Sequence, residues 1–181
     1  MKILKYFKIG VPVLLAILLI LFLHKNLPRT EVVQITGTDV KRMDTSGAKS
    51  AETQKKTNKG AGGITTDVRF INTINKKGKT MVFRNQDTGW GWPPYLKFNS
   101  ADLTAKAQAI SLSTENDWVL IKYYGWRIRI FDMFPNAVSL KIVDKQYTHI
   151  PIFNIVFVAT LLILGFIARQ KIKKRFGPKK K

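Results

Sequence analysis

The chain contains no cysteine and only two histidines, His24 and His149. The first absence excludes a disulfide framework, a thiolate zinc site and a cysteine nucleophile. The second leaves no histidine cluster for a metal and little histidine-based acid–base chemistry, since each histidine borders an apolar run. Acidic residues are few, eleven against thirty-one lysines and arginines, and the net charge is +20. No Walker loop, HExxH or GxSxG motif is present. Asp87-Thr-Gly is the aspartic-protease tripeptide, but one copy supplies one carboxylate where that chemistry needs a pair. The reading is a non-enzyme with no cofactor and no metal. At 181 residues, less two apolar runs, there is room for one small domain.

The apolar runs come first among what is present. Ile9 to Leu23 is uncharged. At 1.5 Å per residue it spans roughly 22 Å, short of a ~30 Å hydrocarbon core. Tyr6, Phe7 and Leu27 extend it, and Lys8, His24 and Lys25 can snorkel. Pro12 is placed in or near the first helical turn, where a missing N–H costs least. A signal peptide shares the basic start. His24-Lys25-Asn26-Leu27-Pro28-Arg29 offers no small-x-small cleavage site, so an uncleaved anchor is expected. The second run, Ile150 to Ala168, has one polar residue, Asn154, and a length that suits a span.

Charge orients the chain. Residues 1–8 carry three lysines and residues 169–181 eight basic residues, with no acid in either. All eleven acids lie between the spans. By the positive-inside rule both termini face the cytoplasm. The expected organisation is an N-tail over 1–8, a transmembrane helix over 9–27, a periplasmic domain over 28–148, a second helix over 149–168 and a basic tail over 169–181. That is a two-pass protein of a bacterial inner membrane. Lys171, Lys173, Lys174 and Arg175 make the tail a topology anchor that can also attract anionic lipid headgroups.

Between the spans the signals are mostly β. Residues 45–66 are rich in Gly, Ser, Thr and Lys and read as a flexible loop. Residues 31–43 read as a long strand bent at Gly37. Residues 67–74 and 79–84 read as a hairpin whose loop puts Gly78 at positive φ. Residues 99–110 form a helix, capped by Asn99 or Ser100, with Leu103, Ala107 and Ile110 on one face. Residues 117–131 carry two apolar sets of opposite parity. The switch at Tyr124-Gly125 predicts a β-bulge, with Arg127 and Arg129 outward. Residues 137–143 are the last strand. The fold class is membrane-anchored α+β, mostly β: an OB-like barrel of five strands and one helix between two transmembrane helices. A small open sheet with one helix is the alternative.

The segments Val40-Lys-Arg-Met-Asp44, Asp67-Val-Arg-Phe-Ile71, Arg84-Asn-Gln-Asp-Thr-Gly-Trp-Gly-Trp-Pro-Pro-Tyr95, Phe98-Asn-Ser-Ala-Asp-Leu103, Tyr123-Tyr-Gly-Trp-Arg-Ile128 and Met133-Phe-Pro-Asn-Ala-Val138 resemble a family of bacterial inner-membrane proteins known as domain of unknown function 1523. The resemblance covers nearly the whole chain, both apolar runs included. It implies an architecture. It implies no activity and no catalytic residue.

The candidate binding surface is aromatic and basic: Trp90, Trp92, Tyr95, Asp87, Arg84, Tyr124, Arg127 and Arg129. Trp90 and Trp92 on a glycine- and proline-framed loop can offer a stacking platform, or can fold back to plug one end of the barrel. Asp87 beside Thr-Gly suits an Asx-turn, with Arg84, Arg127 and Arg129 as alternative partners. Arg127 and Arg129 can grip an anion or stand solvated on a strand face. The expected function is a non-catalytic accessory or scaffold protein whose periplasmic domain binds another envelope membrane protein. The alternatives are a module for a glycan or anionic small molecule, and a single-stranded nucleic-acid binder. The last needs inverted topology, which the charge asymmetry opposes.

Overall fold

The computed structural model of the protein describes residues 2–44, 65–113 and 117–176. Its element order is α1 (Lys2–Asn26), β1 (Arg29–Asp44), β2 (Thr65–Asn75), β3 (Thr80–Asn85), α2 (Ser100–Leu112), β4 (Trp118–Tyr124), β5 (Asn136–Ile142) and α3 (Ile152–Phe176). Two bodies result, Met1–Tyr147 and Thr148–Lys181. The flexible loop expected over 45–66 lies, but for Thr65 and Thr66, outside the described residues.

The five strands close into a barrel in the order β1-β2-β3-β5-β4. The open-sheet alternative is thereby set aside. Closure depends on the length of β1. Its first residues pair with β4, from Arg29↔Tyr123 to Gln34↔Trp118, and most of its length pairs with β2, out to Asp44↔Thr65. The register slips between Ile35 and Gly37, which is the bend expected at that glycine. The β2–β3 hairpin is as the sequence implied. Asn75 Oδ1 accepts from the backbone N–H of Lys77 and Lys79, and Gly78 takes φ +76°. The parallel β3–β5 contact, through Arg84↔Asn136, completes the ring.

The interior follows the period-two rule except in β5, where the register shift against β4 separates Ala137 and Leu140 by three. Val33 and Ile35 from β1, Ile71 from β2, Phe83 from β3, Val119, Ile121 and Tyr123 from β4, and Ala137 and Leu140 from β5 form one buried cluster. Helix α2 adds Leu103, Ala107 and Ile110, the face its spacing predicted.

Three local expectations are corrected. Pro12 lies inside α1, because the helix begins at Lys2, so its ring interrupts an interior hydrogen bond. The second parity set does not belong to a strand. β4 ends at Tyr124, Gly125 turns the chain at φ +91°, and residues 126–133 form a short turn closed by the Ile128↔Met133 bridge. Ile130 and Phe131 are exposed there. The irregularity in the β4–β5 register falls earlier, between Lys122 and Tyr123. Finally, Asn99 makes no side-chain cap to α2. That role passes to a residue far upstream.

Helix α3 is long and apolar enough over Ile152–Arg175, at a mean hydropathy of 2.3, to cross a membrane. In α1 the apolar portion is shorter, Gly10–Asn26.

Candidate functional site

Only Leu27 and Pro28 separate the last turn of α1 from β1. A helix ends with carbonyls that lack intrahelical partners. Here the chain supplies donors from two separate loops. The Gly125 N–H donates to Lys25 O at 2.9 Å, and the Tyr95 hydroxyl donates to Asn26 O at 2.5 Å. The Asn26 side chain is engaged on both sides. It donates to Phe22 O at 2.7 Å and accepts from Trp92 Nε1 at 3.1 Å. The Trp92 ring stacks on Phe22, centroids 5.8 Å apart. Trp126 Nε1 donates to His24 Nδ1 at 2.8 Å. Trp92, half of what looks like a stacking platform in the sequence, therefore joins Tyr95 and Trp126 in fastening the end of α1 to the barrel.

Tyr95 and Tyr124 hold this junction together from beneath. Their rings stack at 4.6 Å and 13°. Burial raises both hydroxyl pKa values, Tyr95 most, with Arg29 opposing for Tyr95, and Asn136 and Arg84 opposing for Tyr124. Both stay protonated at neutral pH, so Tyr95 remains a donor to Asn26. Asn136 donates to Tyr124 Oη at 3.0 Å and exchanges two bonds with the Gln86 backbone. Arg84 sits beside this pair, half-buried, its Nε without an acceptor. Burial lowers its pKa against the opposing field of Tyr124.

The loop carrying the tryptophans is closed at its base. Thr88 and Gly89 N–H groups both donate to Lys97 O, and Lys97 N–H donates to Thr88 Oγ1, each at 3.1 Å. Gly89 takes φ +53° to start the loop. The Trp92-Pro93 bond is cis. Trp90 stands at the tip, 86 % exposed, its ring edge-on to Phe98 at 5.9 Å. Leu96 and Phe98 are exposed beside it. The loop does not plug the barrel.

Asp87 is not paired with Arg84, Arg127 or Arg129, nor does it hold an Asx-turn. Its Oδ1 accepts from Ser100 N–H at 2.8 Å and its Oδ2 from Ser100 Oγ at 2.7 Å. It caps α2 from thirteen residues upstream, with its charge at the positive end of the helix dipole. Replacing Asp87 with alanine should cost about 1–2 kcal/mol in urea unfolding of the full chain in mild detergent, and Asp87→Asn less. An Asp87→Ala protein as stable as the parent would deny the capping role.

Below this cap lies a residue that sequence reasoning missed. Lys97 is 3 % exposed. Its ammonium donates to Asn85 Oδ1 and, at 2.7 Å, to Ala137 O. Burial pulls its pKa down to about 8, against the raising field of Asp87. Asn85, also buried, passes the bonds on to Ser100 O and Thr104 Oγ1, both at 2.8 Å. Nothing in the flanking residues Leu96 and Phe98 announces a buried ammonium; its two acceptors come from two other elements, β3 and β5.

Arg127 is drawn back onto its own turn. It donates to Met133 O at 3.0 Å, lies 3.4 Å from Asp132, and places its guanidinium 3.8 Å over the Phe134 ring. Arg129 is exposed. Lys171, Lys173, Lys174 and Arg175 extend α3 as exposed residues of its C-terminal end. Among the described residues no group of three metal-ligating side chains occurs.

The fold and its junction define a class: a closed five-stranded barrel, with one helix packed into its core, fastened at the end of an apolar N-terminal helix. The chain belongs to the family described as "Protein of unknown function (DUF1523)", which matches residues 4–176. A Haemophilus influenzae protein described as "Uncharacterized protein" is 42 % identical over 154 residues, covering 84 % of each chain. No solved structure matches.

Proposed function

We propose that this protein is a non-catalytic accessory protein of the bacterial inner membrane. It crosses twice, through α1 and α3, with both termini in the cytoplasm and an OB-like barrel in the periplasm. The apolar composition of both helices and the acid-free basic ends of the chain support this topology. The barrel's task is to bind another envelope membrane protein.

One observation carries that task. Trp90 is 86 % exposed, although Trp92 and Tyr95 of the same loop are committed to α1. Large exposed aromatics are the side chains that dominate binding energy when covered. The loop is fixed to the last turn of an apolar helix, so a partner covering Trp90, Leu96 and Phe98 sits at the membrane surface.

The test is quantitative cross-linking in native membranes followed by purification. A companion in fixed stoichiometry with the wild-type chain should be lost with Trp90→Ala while the unfolding midpoint is unchanged. Retention of that companion at wild-type levels by both Trp90→Ala and Trp90→Glu would remove this surface from consideration. A reporter fused near Lys59 tests the topology independently. Activity of a cytoplasm-only reporter would reverse it and revive the nucleic-acid reading.

A further inference from the structure

Beside the α1 junction the barrel has an open cavity of about 400 Å³. Arg29, Met81, Tyr123, Gly125, Trp126, Arg127, Ile128 and Pro135 line it, with two guanidinium groups and no carboxylate among them. The rest of the lining is mainly apolar. Its volume is within the range of pockets that hold small ligands.

Both arginines keep unused donors. A guanidinium has five N–H groups. Arg29 gives one nitrogen to Gly125 O and lies 5.1 Å over the Tyr123 ring, and its buried Nε has no acceptor. Arg127 uses a single nitrogen, Nη1, for both Asp132 and Met133 O. Asp132 belongs to the same turn and is well exposed, so it balances Arg127 only weakly. Arg29 Nη1 and Arg127 Nη2 are left unused by these contacts, so an external oxygen acceptor can engage both guanidinium groups.

Location adds the second argument. Gly125 and Trp126, which line the cavity, are the residues that hold Lys25 and His24 at the end of α1. An apolar helix that spans a membrane ends at the headgroups. We propose that this cavity holds the anionic phosphate headgroup of a membrane lipid. The phosphate faces Arg29 and Arg127, whose forks match its oxygens, and the first methylenes rest on Met81, Ile128 and Pro135. The placement rests on reading α1 as a membrane segment. The site is distinct from the Trp90 surface and from the basic end of α3.

The test uses the full-length protein in a neutral detergent, read by native mass spectrometry and tryptophan fluorescence. The probes are a short-chain phosphatidylglycerol, the phosphatidylcholine of equal chain length, and inorganic phosphate. One phosphatidylglycerol should bind per chain, about tenfold tighter than phosphatidylcholine. It should still bind when Lys171, Lys173, Lys174 and Arg175 are all changed to glutamine. Arg29→Gln and Arg127→Gln should each weaken it about tenfold, and Arg129→Gln should not. Should Arg29→Gln fail to fold, Ile128→Trp fills the cavity with both arginines in place and should also abolish binding. Phosphatidylglycerol binding that survives Arg127→Gln and Ile128→Trp would overturn the proposal. Inorganic phosphate binding as tightly as the lipid would overturn the lipid assignment in favour of a free anion. Because micelles have no sidedness, this titration is independent of the reporter that tests the topology.

Discussion

Phe83→Ala should lower the unfolding free energy of the barrel by about 3–5 kcal/mol. Phe83 is fully buried, and its ring meets Tyr123 at 4.9 Å. Three features of its position argue for the upper part of that range. It belongs to β3, whose contact with β5 closes the barrel through one registered pair, Arg84↔Asn136. It is one of the two largest side chains that are fully buried, so alanine leaves a large void. The buried cluster it belongs to is drawn from all five strands and α2, and the strands are tied by ladder hydrogen bonds that limit collapse into the space. Domains of this kind have about 5–15 kcal/mol in total. The midpoint in urea should fall sharply with the slope unchanged, and Phe83→Leu should restore most of the loss. A cost below ~1 kcal/mol would mean that the core is not organised around this ring.

Asn85→Ala should cost about 3 kcal/mol although it removes few atoms. The reason is Lys97. Without Asn85 Oδ1 the buried ammonium keeps one acceptor, Ala137 O, and Ser100 O loses a donor. Changing Lys97 to methionine in the same protein should recover much of the loss, since no charge is then left to satisfy. Strictly additive costs would refute the coupling. The lysine also sets a pH dependence. It releases its proton near pH 8 when folded, against about 10.4 when unfolded. Between those values the unfolded chain holds the extra proton, so stability rises with pH, by at most about 1.4 kcal/mol per unit. This contribution is complete above the unfolded value and is lost as pH falls towards 8. The difference between wild type and Lys97→Met across that window isolates it, and a flat difference would show that Lys97 titrates normally.

Much of the barrel was legible because burial in strands and helices is written locally. The β2–β3 hairpin, the bend at Gly37 and the α2 face of Leu103, Ala107 and Ile110 each follow from a few adjacent residues. Residues 126–131 misled for the same reason. Trp126, Ile128 and Ile130 alternate with Arg127 and Arg129 as a strand would, and only the turn at Gly125 removes them from the sheet. The site was legible in its residue types and illegible in its partners. Trp92 finds Asn26 across 66 residues, and Asp87 finds Ser100 across 13. An aromatic loop that serves the chain's own helix looks, one residue at a time, like one that serves a ligand. Lys97 was invisible because its acceptors, Asn85 Oδ1 on β3 and Ala137 O on β5, are assembled only when those two strands come together.

The α1–β1 junction has a mechanical consequence. With a two-residue joint crossed by bonds from both the 86–98 loop and the Gly125 turn, helix and barrel form one arm without a swivel. Rotation of α1 about its own axis carries Trp90 around with it. The azimuth at which the barrel addresses its surroundings is therefore set by how α1 is turned about its own axis. A helix turns by about 100° per residue. One residue inserted into α1 ahead of Phe22 would leave every junction contact intact and still point the barrel in another direction.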